Sequence, residues 1–221
     1  MTELGITPTI EDYLGIIYVL ERDNEPVVGA RLATLLGVTP PTVTNTLKRM
    51  VRDGLLLQEQ NSGVHLTQQG WDVARSVVRK HMLSEWMLSR LLSWSKLHDQ
   101  AHRLEHGISA EVESALIREL GDLELCPHGN PLPGYEDMVA QWVSLMNIEV
   151  GQEFTIRRIH ELAEETPDLL AFFESHGVIP GATGKLTNNS VLNQTVEIQI
   201  HNKGVTLGYA TARYVFVELP E

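Results

Sequence analysis

The sequence has a single cysteine, Cys126, among its 221 residues. One cysteine excludes an intramolecular disulfide framework and leaves a thiol that is free for a metal or for no role at all. The sequence also lacks an uncharged apolar run near the roughly 18–20 residues that a membrane helix needs. Its first residues show no basic segment followed by an apolar one, so no secretory signal is visible. We therefore expect a cytoplasmic protein without a membrane partner.

Basic residues are also scarce in the chain as a whole, which has 17 of them against 29 acidic residues and a net charge of −12. The deficit is uneven, because residues 26–80 contain seven basic and three acidic residues and so carry +4, which leaves −16 for the remainder. Scattered solvated charge is one interpretation of this unevenness. The other is a basic DNA-binding module joined to acidic ones, since net charge says nothing about where charges lie.

Hydrophobic periodicity in the first 55 residues predicts three helices, and two β-prone stretches follow around a turn at Asn61-Ser62-Gly63. We expect Thr9 to cap the first helix and Thr39 to cap the third, which begins with Pro40 and Pro41. Three helices followed by a two-stranded wing are typical of a winged helix-turn-helix, whose third helix enters the major groove of DNA.

The third predicted helix has an apolar stripe and an outward face of small polar and basic residues. Hydroxyl and amide groups suit base edges, and cationic side chains suit phosphates. A polar helix face can also be merely solvated, but the local charge of +4 favours DNA binding. The residues predicted to contact double-stranded DNA are Arg31, Thr39, Pro41, Thr42, Thr44, Asn45, Lys48 and Arg49.

The rest of the chain predicts two further domains. A long helix from Thr67 to Trp94 and two helices at about 95–107 and 109–120 carry apolar residues on several faces, which predicts a homodimer. After a proline-rich linker at 121–145, short alternating strands predict a small SH3-like barrel. The expected fold is mainly α with β: a winged helix-turn-helix domain at 1–70, a helical metal-binding and dimerisation domain at 71–145, and an SH3-like β-barrel at 146–221.

Metal binding is predicted by imidazoles and carboxylates at helical spacing. Side chains at offsets of four, seven and eight residues share one stripe of a helix, and such a set is formed by His98, His102, Glu105 and His106. A lone histidine is more often structural, but five of the nine histidines lie within residues 81–128. Further candidate ligands are His81 and Glu85 on the preceding helix, and Cys126 and His128 after it. Nitrogen and carboxylate ligands with few thiols suit manganese, ferrous iron, nickel or zinc.

The segment from His102 to His106 also matches the H-x-x-E-H signature of zinc peptidases, in which the glutamate is the general base. Such peptidases need a large catalytic domain with a distant third ligand. We therefore expect a protein that is not an enzyme, and the peptidase remains a minor alternative.

Several segments together resemble the diphtheria-toxin-repressor family of metal-dependent transcriptional regulators over nearly the whole chain. They are TIEDYLGIIYVLE, GVTPPTVTNTLKRMVRDGL, LTQQGWDVARSVVRKHMLSEWML, KLHDQAHRLEHGIS and CPHGNPLPG, in the family's order and spacing. The segments LLAFFESHGVIPG and YVFVEL resemble the SH3-like (ferrous-transport-A-like) domain of its longer members. The resemblance implies a homodimeric repressor that controls metal homeostasis and binds an inverted-repeat operator when a metal is bound.

The resemblance also implies ligand sets. The implied regulatory site consists of Asp12, His102, Glu105 and His106. The implied ancillary site consists of His81, Glu85 and His98. Some members use the Cys-Pro-His segment instead, here Cys126 and His128. Many members add a ligand from the SH3-like domain, for which the candidates are Asp168, Glu165 and Glu164.

The metal is implied by two positions. Iron-responsive members usually have methionine where this chain has Asp12 and cysteine where it has His102, whereas manganese-responsive members have aspartate and often glutamate. Asp12 therefore favours manganese, a hard ion, while His102 matches neither pattern.

Gly15 replaces a glutamate that completes a two-metal cluster in short manganese-responsive members, so that cluster is not expected. We expect Mn²⁺ first and Fe²⁺ second, with Zn²⁺, Co²⁺, Ni²⁺ or Cd²⁺ binding in vitro. The alternative is a winged-helix regulator of a small organic ligand.

Overall fold

The computed structural model describes residues 6–59 and 63–220. The chain divides into two compact units, of which the first ends at Lys80 and the second begins at His81. A finer division of the second unit at residue 145 stays a prediction. Within the described residues, no helix combines the length and apolar character that a bilayer-spanning segment requires.

The first unit has the element order of a winged helix-turn-helix, which confirms this part of the predicted fold. Its strands pair antiparallel with Leu56 opposite Leu66, and the predicted turn residues Asn61 and Ser62 lie outside the described residues. The elements are α1 (Pro8–Arg22), α2 (Gly29–Leu35), α3 (Pro40–Arg52), β1 (Leu56–Glu59), β2 (Gly63–Leu66) and the start of α4 (Gln68–Leu88).

The starts of α1 and α3 follow from local sequence. The expected N-cap at Thr9 is wrong, because α1 begins at Pro8 after Thr7. The fixed φ of proline suits the first helical position, where its missing N–H is not needed. The cap at Thr39 is confirmed: its side chain accepts a hydrogen bond from the Thr42 backbone N–H at 3.4 Å.

Packing in the first unit leaves one face of α3 outside the core. Val43 and Met50 are the buried residues of α3, so its remaining face is available to a partner.

The wing is attached to α1 by Glu21, whose Oε1 accepts hydrogen bonds from His65 Nδ1 at 3.0 Å and from the Leu66 backbone N–H at 3.1 Å. Burial raises the pKa of Glu21, although both of these contacts oppose the shift.

The long helix α4 ends at Leu88, not at the expected Trp94. Tertiary contacts explain the difference, because the Trp94 backbone N–H donates to Glu174 Oε1 at 2.9 Å and its indole N–H donates to the Pro127 carbonyl at 2.9 Å. These contacts require an extended residue at Ser93, where ψ is 151°. Two helices follow as predicted, α5 (Leu97–Glu105) and α6 (Ala110–Leu120).

The C-terminal part forms a six-stranded antiparallel sheet of the predicted SH3-like type, with strand order β3-β8-β4-β5-β6-β7. Bulges at Ile156/Arg158 and Leu186/Asn188 bend it, and the predicted alternation in β6 is confirmed by buried Val196, Ile198 and Ile200. The elements are β3 (Val143–Ser144), β4 (Glu153–Ile159), α7 (Glu161–Glu164), α8 (Pro167–His176), β5 (Thr183–Ser190), β6 (Thr195–Ile200), β7 (Lys203–Gly208), α9 (Tyr209–Ala212) and β8 (Val215–Glu218). The sequence pattern did not indicate β3, α7 or α9.

Gly70, in the first turn of α4, has no room for a side chain. A Cβ there would lie 2.1 Å from the Leu55 carbonyl oxygen, a backbone atom that cannot swing aside. We expect Gly70→Ala to lower the free energy of unfolding by about 1–3 kcal/mol, the usual cost of overpacking. Urea unfolding followed by far-UV circular dichroism measures the change.

Gly15→Ala in α1 is the matched control. A Cβ at Gly15 would meet no described atom within 4 Å beyond its own helical neighbourhood, and alanine stabilises a helix by up to about 1 kcal/mol relative to glycine. A Gly70→Ala variant as stable as Gly15→Ala would contradict the close approach of α4 to Leu55.

Candidate metal centre

Donor side chains from four separate segments meet in the second unit. Their ligand atoms fall into two groups, each within 4.8 Å of one another, and the groups share Glu85. The segments are the C-terminal half of α4, the start of α5, the loop at 126–130 and α7. The first group consists of His81, Glu85, His98 and Glu164, and the second of Glu85, Cys126 and His128.

The separations in the first group suit a shared cation. Nε2 of His81 lies 3.4 Å from Glu85 Oε1 and 3.1 Å from His98 Nδ1. His98 Nδ1 lies 3.9 Å from Glu85 Oε1 and 2.9 Å from Glu164 Oε2. Donors that bind one divalent cation at about 2.0–2.2 Å lie about 3–3.5 Å apart, so the first group needs only small adjustments to hold one.

Each of three imidazoles has one nitrogen held by an acceptor and the other turned toward the cluster. Nδ1–H of His81 donates to Glu105 Oε2 at 2.5 Å, and His98 Nε2 lies 3.4 Å from Glu165 Oε1. Nε2–H of His128 donates to the Trp94 carbonyl at 3.2 Å. Metal-binding histidines are oriented in this way, because the outer hydrogen bond fixes the tautomer and aims the other nitrogen at the ion.

Glu85 is the group of the cluster whose charge is most costly to bury. Its side chain is completely buried, and neither of its oxygens makes a hydrogen bond within the described part of the chain. Burial favours the neutral acid, yet neighbouring His128 and His81 outweigh burial and hold the pKa of Glu85 well below its usual value. A buried carboxylate without hydrogen bonds is costly unless a cation lies against it.

The neighbouring carboxylates shift the pKa values of the imidazoles. Burial favours neutral His81, but the hydrogen bond to Glu105 and the nearby carboxylate of Glu85 outweigh it and raise the pKa of His81 to about 9. The pKa of His98 is likewise raised well above its usual value, because contacts with Glu164 and Glu165 outweigh burial. The cluster thus attracts positive charge, which protons or a metal ion can supply.

The loop at 126–130 is packed into the interior, although residues 121–145 were expected to form a linker. Gly129 has φ of +86°, and a Cβ there would lie 2.0 Å from the Arg157 carbonyl oxygen. Buried Asn130 accepts a hydrogen bond from Arg158 Nε at 2.5 Å and donates one to Glu164 Oε1 at 2.6 Å. The loop, β4 and α7 are therefore held together, and Oε2 of Glu164 is left toward His98.

Glu105 links this cluster to the other predicted histidines. While its Oε2 accepts from His81, its Oε1 lies 3.1 Å from His102 Nδ1 and 3.7 Å from His106 Nε2. Burial alone would raise the pKa of Glu105, but hydrogen bonds from His102 and His81 lower it to about 2. The four side chains that share one face of α5 therefore do not form a single group. His98 contacts Glu164, whereas His102 and His106 lie near Glu105.

The structure distinguishes among the candidate ligands from the C-terminal part. Glu164 is buried against His98, and Glu165 is exposed but within reach of it. Asp168 is exposed in the first turn of α8 and belongs to neither group around Glu85. Asp12 lies in α1 of the first unit and is partly buried.

The predicted DNA-contacting residues are at the surface of the first unit. Asn45 and Lys48 are exposed on α3. Thr44 Oγ1 donates to the Pro40 carbonyl at 3.0 Å, and Arg49 lies 3.6 Å from Asp53. Arg31 in α2 is paired with Glu25. The remaining predicted residues, Thr39, Pro41 and Thr42, are exposed at the start of α3.

Comparisons with known proteins cover nearly the whole chain. Residues 5–64 match the family described as the iron dependent repressor N-terminal DNA binding domain, residues 67–134 match the iron dependent repressor metal binding and dimerisation domain, and residues 143–219 match the FeoA domain. The iron-dependent repressor IdeR of Mycobacterium leprae is 34% identical over 226 residues, which cover 96% of this chain and 98% of that protein.

Solved structures show the same architecture. The crystal structure of T. acidophilum IdeR has a TM-score of 0.77 and 26% identity, and the match covers 98% of this chain and 100% of the other. A manganese-dependent transcriptional repressor in complex with manganese has a TM-score of 0.80 and 25% identity, with 95% of this chain and 99% of the other covered.

Because Glu85 is buried, a cation bound beside it should raise the thermal stability of the folded chain. A cation that binds only the folded chain stabilises it by about 2.7 kcal/mol at 100 times its Kd. We expect Mn²⁺ to raise the thermal unfolding midpoint of the chelator-treated protein, and Glu85→Gln to lose a large part of that increase because a cluster oxygen is replaced by an amide.

The control is Glu197→Gln, the same change at an exposed position on β6. It should keep the full increase. A Glu85→Gln variant that Mn²⁺ stabilises as strongly as the wild type would show that this cluster does not bind the ion.

Proposed function

Because this chain belongs to the iron-dependent repressor (diphtheria-toxin-repressor) family, we propose that it is a transcriptional repressor whose binding to DNA requires a divalent cation. The observation that carries the proposal is the set of three imidazoles, each held at one nitrogen and directed at buried Glu85 and Glu164 with the other. Metal-binding histidines are held in this way, so the arrangement of these donors supports cation binding.

Two metal sites follow from this proposal. The regulatory site takes Asp12, His102, Glu105 and His106, and the ancillary site takes His81, Glu85 and His98 with Glu164 in place of Asp168. A bound divalent cation supplies the positive charge that keeps these carboxylates and imidazoles together. Glu105 serves both sites, since it binds at one with Oε1 and orients His81 at the other with Oε2.

Asp12 is the residue through which the regulatory site acts on the DNA-binding unit. In this proposal Asp12 holds α1 to the helix that carries His102, Glu105 and His106, and so fixes the position of each α3 in the dimer. Without a cation, the carboxylates repel one another and α1 loosens. Linkage then requires that DNA tighten cation binding by the same factor by which the cation tightens DNA binding.

Manganese is the ion that we propose first and ferrous iron the second. The proposed regulatory site offers oxygen and imidazole ligands without thioether or thiol, and hard Mn²⁺ prefers such ligands. Zn²⁺, Co²⁺, Ni²⁺ and Cd²⁺ should bind in vitro, because affinity alone favours the late metals.

The DNA partner is proposed to be an inverted repeat with half-sites about one helical turn apart, as a homodimer with a helix-turn-helix in each subunit requires.

The exposure of apolar residues on α6 supports the homodimer. Every residue of α6 is at least partly exposed in the described chain, and Val112 and Ile117 are 45% and 44% exposed. We propose a cytoplasmic location for this protein, since a repressor must reach the chromosome.

Two other functions have less support. The family comprises transcriptional repressors and not enzymes, which removes the H-x-x-E-H peptidase. A regulator of a small organic ligand would leave the buried carboxylates without a role, and it predicts full affinity for DNA in the presence of chelator.

Asp12→Ala should abolish the cation dependence of DNA binding. We expect Mn²⁺ to increase the affinity of the wild type by about 5- to 150-fold, the usual range for linked sites, and the factor for Asp12→Ala to approach one. Fluorescence anisotropy measures both, with a labelled duplex enriched from a random pool in Mn²⁺, across Mn²⁺, Fe²⁺, Zn²⁺ and chelator.

Glu11→Ala removes the neighbouring carboxylate on α1 and should keep the response. The role of Asp12 is refuted if its variant keeps the wild-type factor while circular dichroism shows that the fold is intact.

Asn45→Ala and Lys48→Ala separate base recognition from phosphate contact. Loss of the Asn45 amide should cost about 1–3 kcal/mol on the enriched duplex and little on random DNA. Loss of Lys48 should weaken both equally and lower the slope of log affinity against log salt by about one. Equal losses on both duplexes for Asn45→Ala would make it a backbone contact.

A further inference from the structure

Glu174 on α8 contacts a segment that precedes the donor-bearing helix α5. Its Oε1 accepts a hydrogen bond from the Trp94 backbone N–H at 2.9 Å, and its Oε2 accepts one from the Ser95 hydroxyl at 2.5 Å. Both partners belong to the single 3₁₀ turn Trp94–Lys96, which leads directly into α5. Glu174 belongs to neither group of donors around Glu85, so it is not one of the candidate ligands.

The 94–96 turn receives its cap from Glu174. The first N–H groups of a helical segment have no partner within it, and the side chain just before the segment normally accepts one of them. Ser93 has the residue type that is favoured for this role, but within the described chain its side chain makes no capping hydrogen bond. The carboxylate of Glu174 takes its place. Its neighbour on α8, Phe173, is completely buried in the core of the C-terminal sheet, so that core sets the position of the carboxylate.

The same turn orients two imidazoles of the cluster. The Trp94 carbonyl accepts a hydrogen bond from the Nε2–H of His128 at 3.2 Å, and the centroids of the two rings lie 4.5 Å apart. The indole N–H of Trp94 donates to the Pro127 carbonyl, which attaches the turn to the loop that carries His128. His98 follows Trp94 by about one helical turn. A displacement of the Trp94 backbone would therefore move both imidazoles relative to Glu85.

The C-terminal part of the chain thus reaches the cluster by two routes. Glu164 on α7 contacts it directly, with Oε2 at 2.9 Å from His98 Nδ1. Glu174 on α8 contacts it through the backbone of the 94–96 turn. Only Glu164 offers a donor atom to the cluster, whereas Glu174 fixes where donors from other segments lie.

We propose that Glu174 is a positioning residue of the metal cluster, which holds the 94–96 turn so that His98 and His128 face Glu85. This inference rests on the proposed function, because it assumes that the cluster binds a cation. Since Glu174 favours the arrangement that binds the cation, linkage requires that the cation in turn stabilise the contact of α8 with the turn. The C-terminal sheet thereby acts on metal affinity through a residue that binds no metal.

The test is the affinity of the chelator-treated full chain for Mn²⁺, with free Mn²⁺ measured by electron paramagnetic resonance. Glu85→Gln identifies the binding event that belongs to the cluster. For that event we expect Glu174→Ala to weaken the affinity by about 10- to 100-fold, the usual effect of losing a group that orients metal ligands. Ser175→Ala removes a hydrogen bond to the Phe172 carbonyl on the same helix and should keep the wild-type affinity.

Glu174→Gln separates position from charge. Glutamine keeps the size of the side chain, an oxygen that accepts from the Trp94 N–H, and an amide group that can donate to the Ser95 hydroxyl. If Glu174 acts by position, Glu174→Gln restores most of the affinity that Glu174→Ala loses. Equal losses in the two variants would show that Glu174 attracts the cation only by its negative charge, which would overturn the positioning role.

Hydrogen exchange is a second readout, which needs no cation. In chelator, a peptide that spans residues 94–98 should exchange faster in Glu174→Ala than in the wild type or in Glu174→Gln, and Mn²⁺ should slow its exchange in the wild type. If Glu174→Ala does not fold, Ser95→Ala replaces it, because it removes one of the two hydrogen bonds without changing α8. Wild-type affinity for Mn²⁺, or wild-type exchange, in the variant that is used would overturn the proposal.

The response to DNA is measured separately, so failure of the proposed function can be distinguished. Unchanged Mn²⁺ affinity in Glu174→Ala, with cation-dependent binding of the duplex by the wild type, refutes only the role of Glu174. Weakened Mn²⁺ binding in that variant, with wild-type DNA binding that ignores the cation, refutes the repressor and retains the positioning role. A wild type that binds no Mn²⁺ at the cluster refutes both.

Discussion

A buried carboxylate without hydrogen bonds, that of Glu85, is the constraint on which the organisation of the second unit depends. Around it, the chain places His81, His98 and His128 with one nitrogen each toward its oxygens. The cost of burying such a charge is of the order of several kcal/mol unless a positive charge compensates it. In the proposed function, a bound cation offsets this cost; protonated imidazoles beside Glu85 also reduce it.

The positions of these donors depend on residues that touch no candidate ion. Asn130 aligns Glu164 and is itself held by Arg158, which also lies 2.9 Å from Glu161 Oε2 and over the ring of Phe216 in β8. The cluster is thus connected to the core of the C-terminal sheet. Truncation of that sheet would remove Glu164 and the support of the 126–130 loop together.

Periodicity and spacing predict the wing, most of the helices and strands, and most of the candidate donors, because these features are local. The ends of elements are less predictable when distant contacts decide them, as at Leu88, where Trp94 is drawn to Glu174 and Pro127. The same limit applies to Glu164. Nothing in the local sequence distinguishes it from Asp168, since only the packing of α7 against Asn130 brings its carboxylate to His98. The contact of Glu105 with His81 also joins residues 24 positions apart, which spacing alone does not reveal.

The central claim is that one cation site and the DNA-binding surface share a free energy of coupling. The most direct test is the affinity of the full chain for Mn²⁺, measured by isothermal titration calorimetry with and without the enriched duplex. The account predicts that the duplex tightens Mn²⁺ binding by the same factor by which Mn²⁺ tightens binding of the duplex. An affinity for Mn²⁺ that is unchanged by saturating duplex would contradict it.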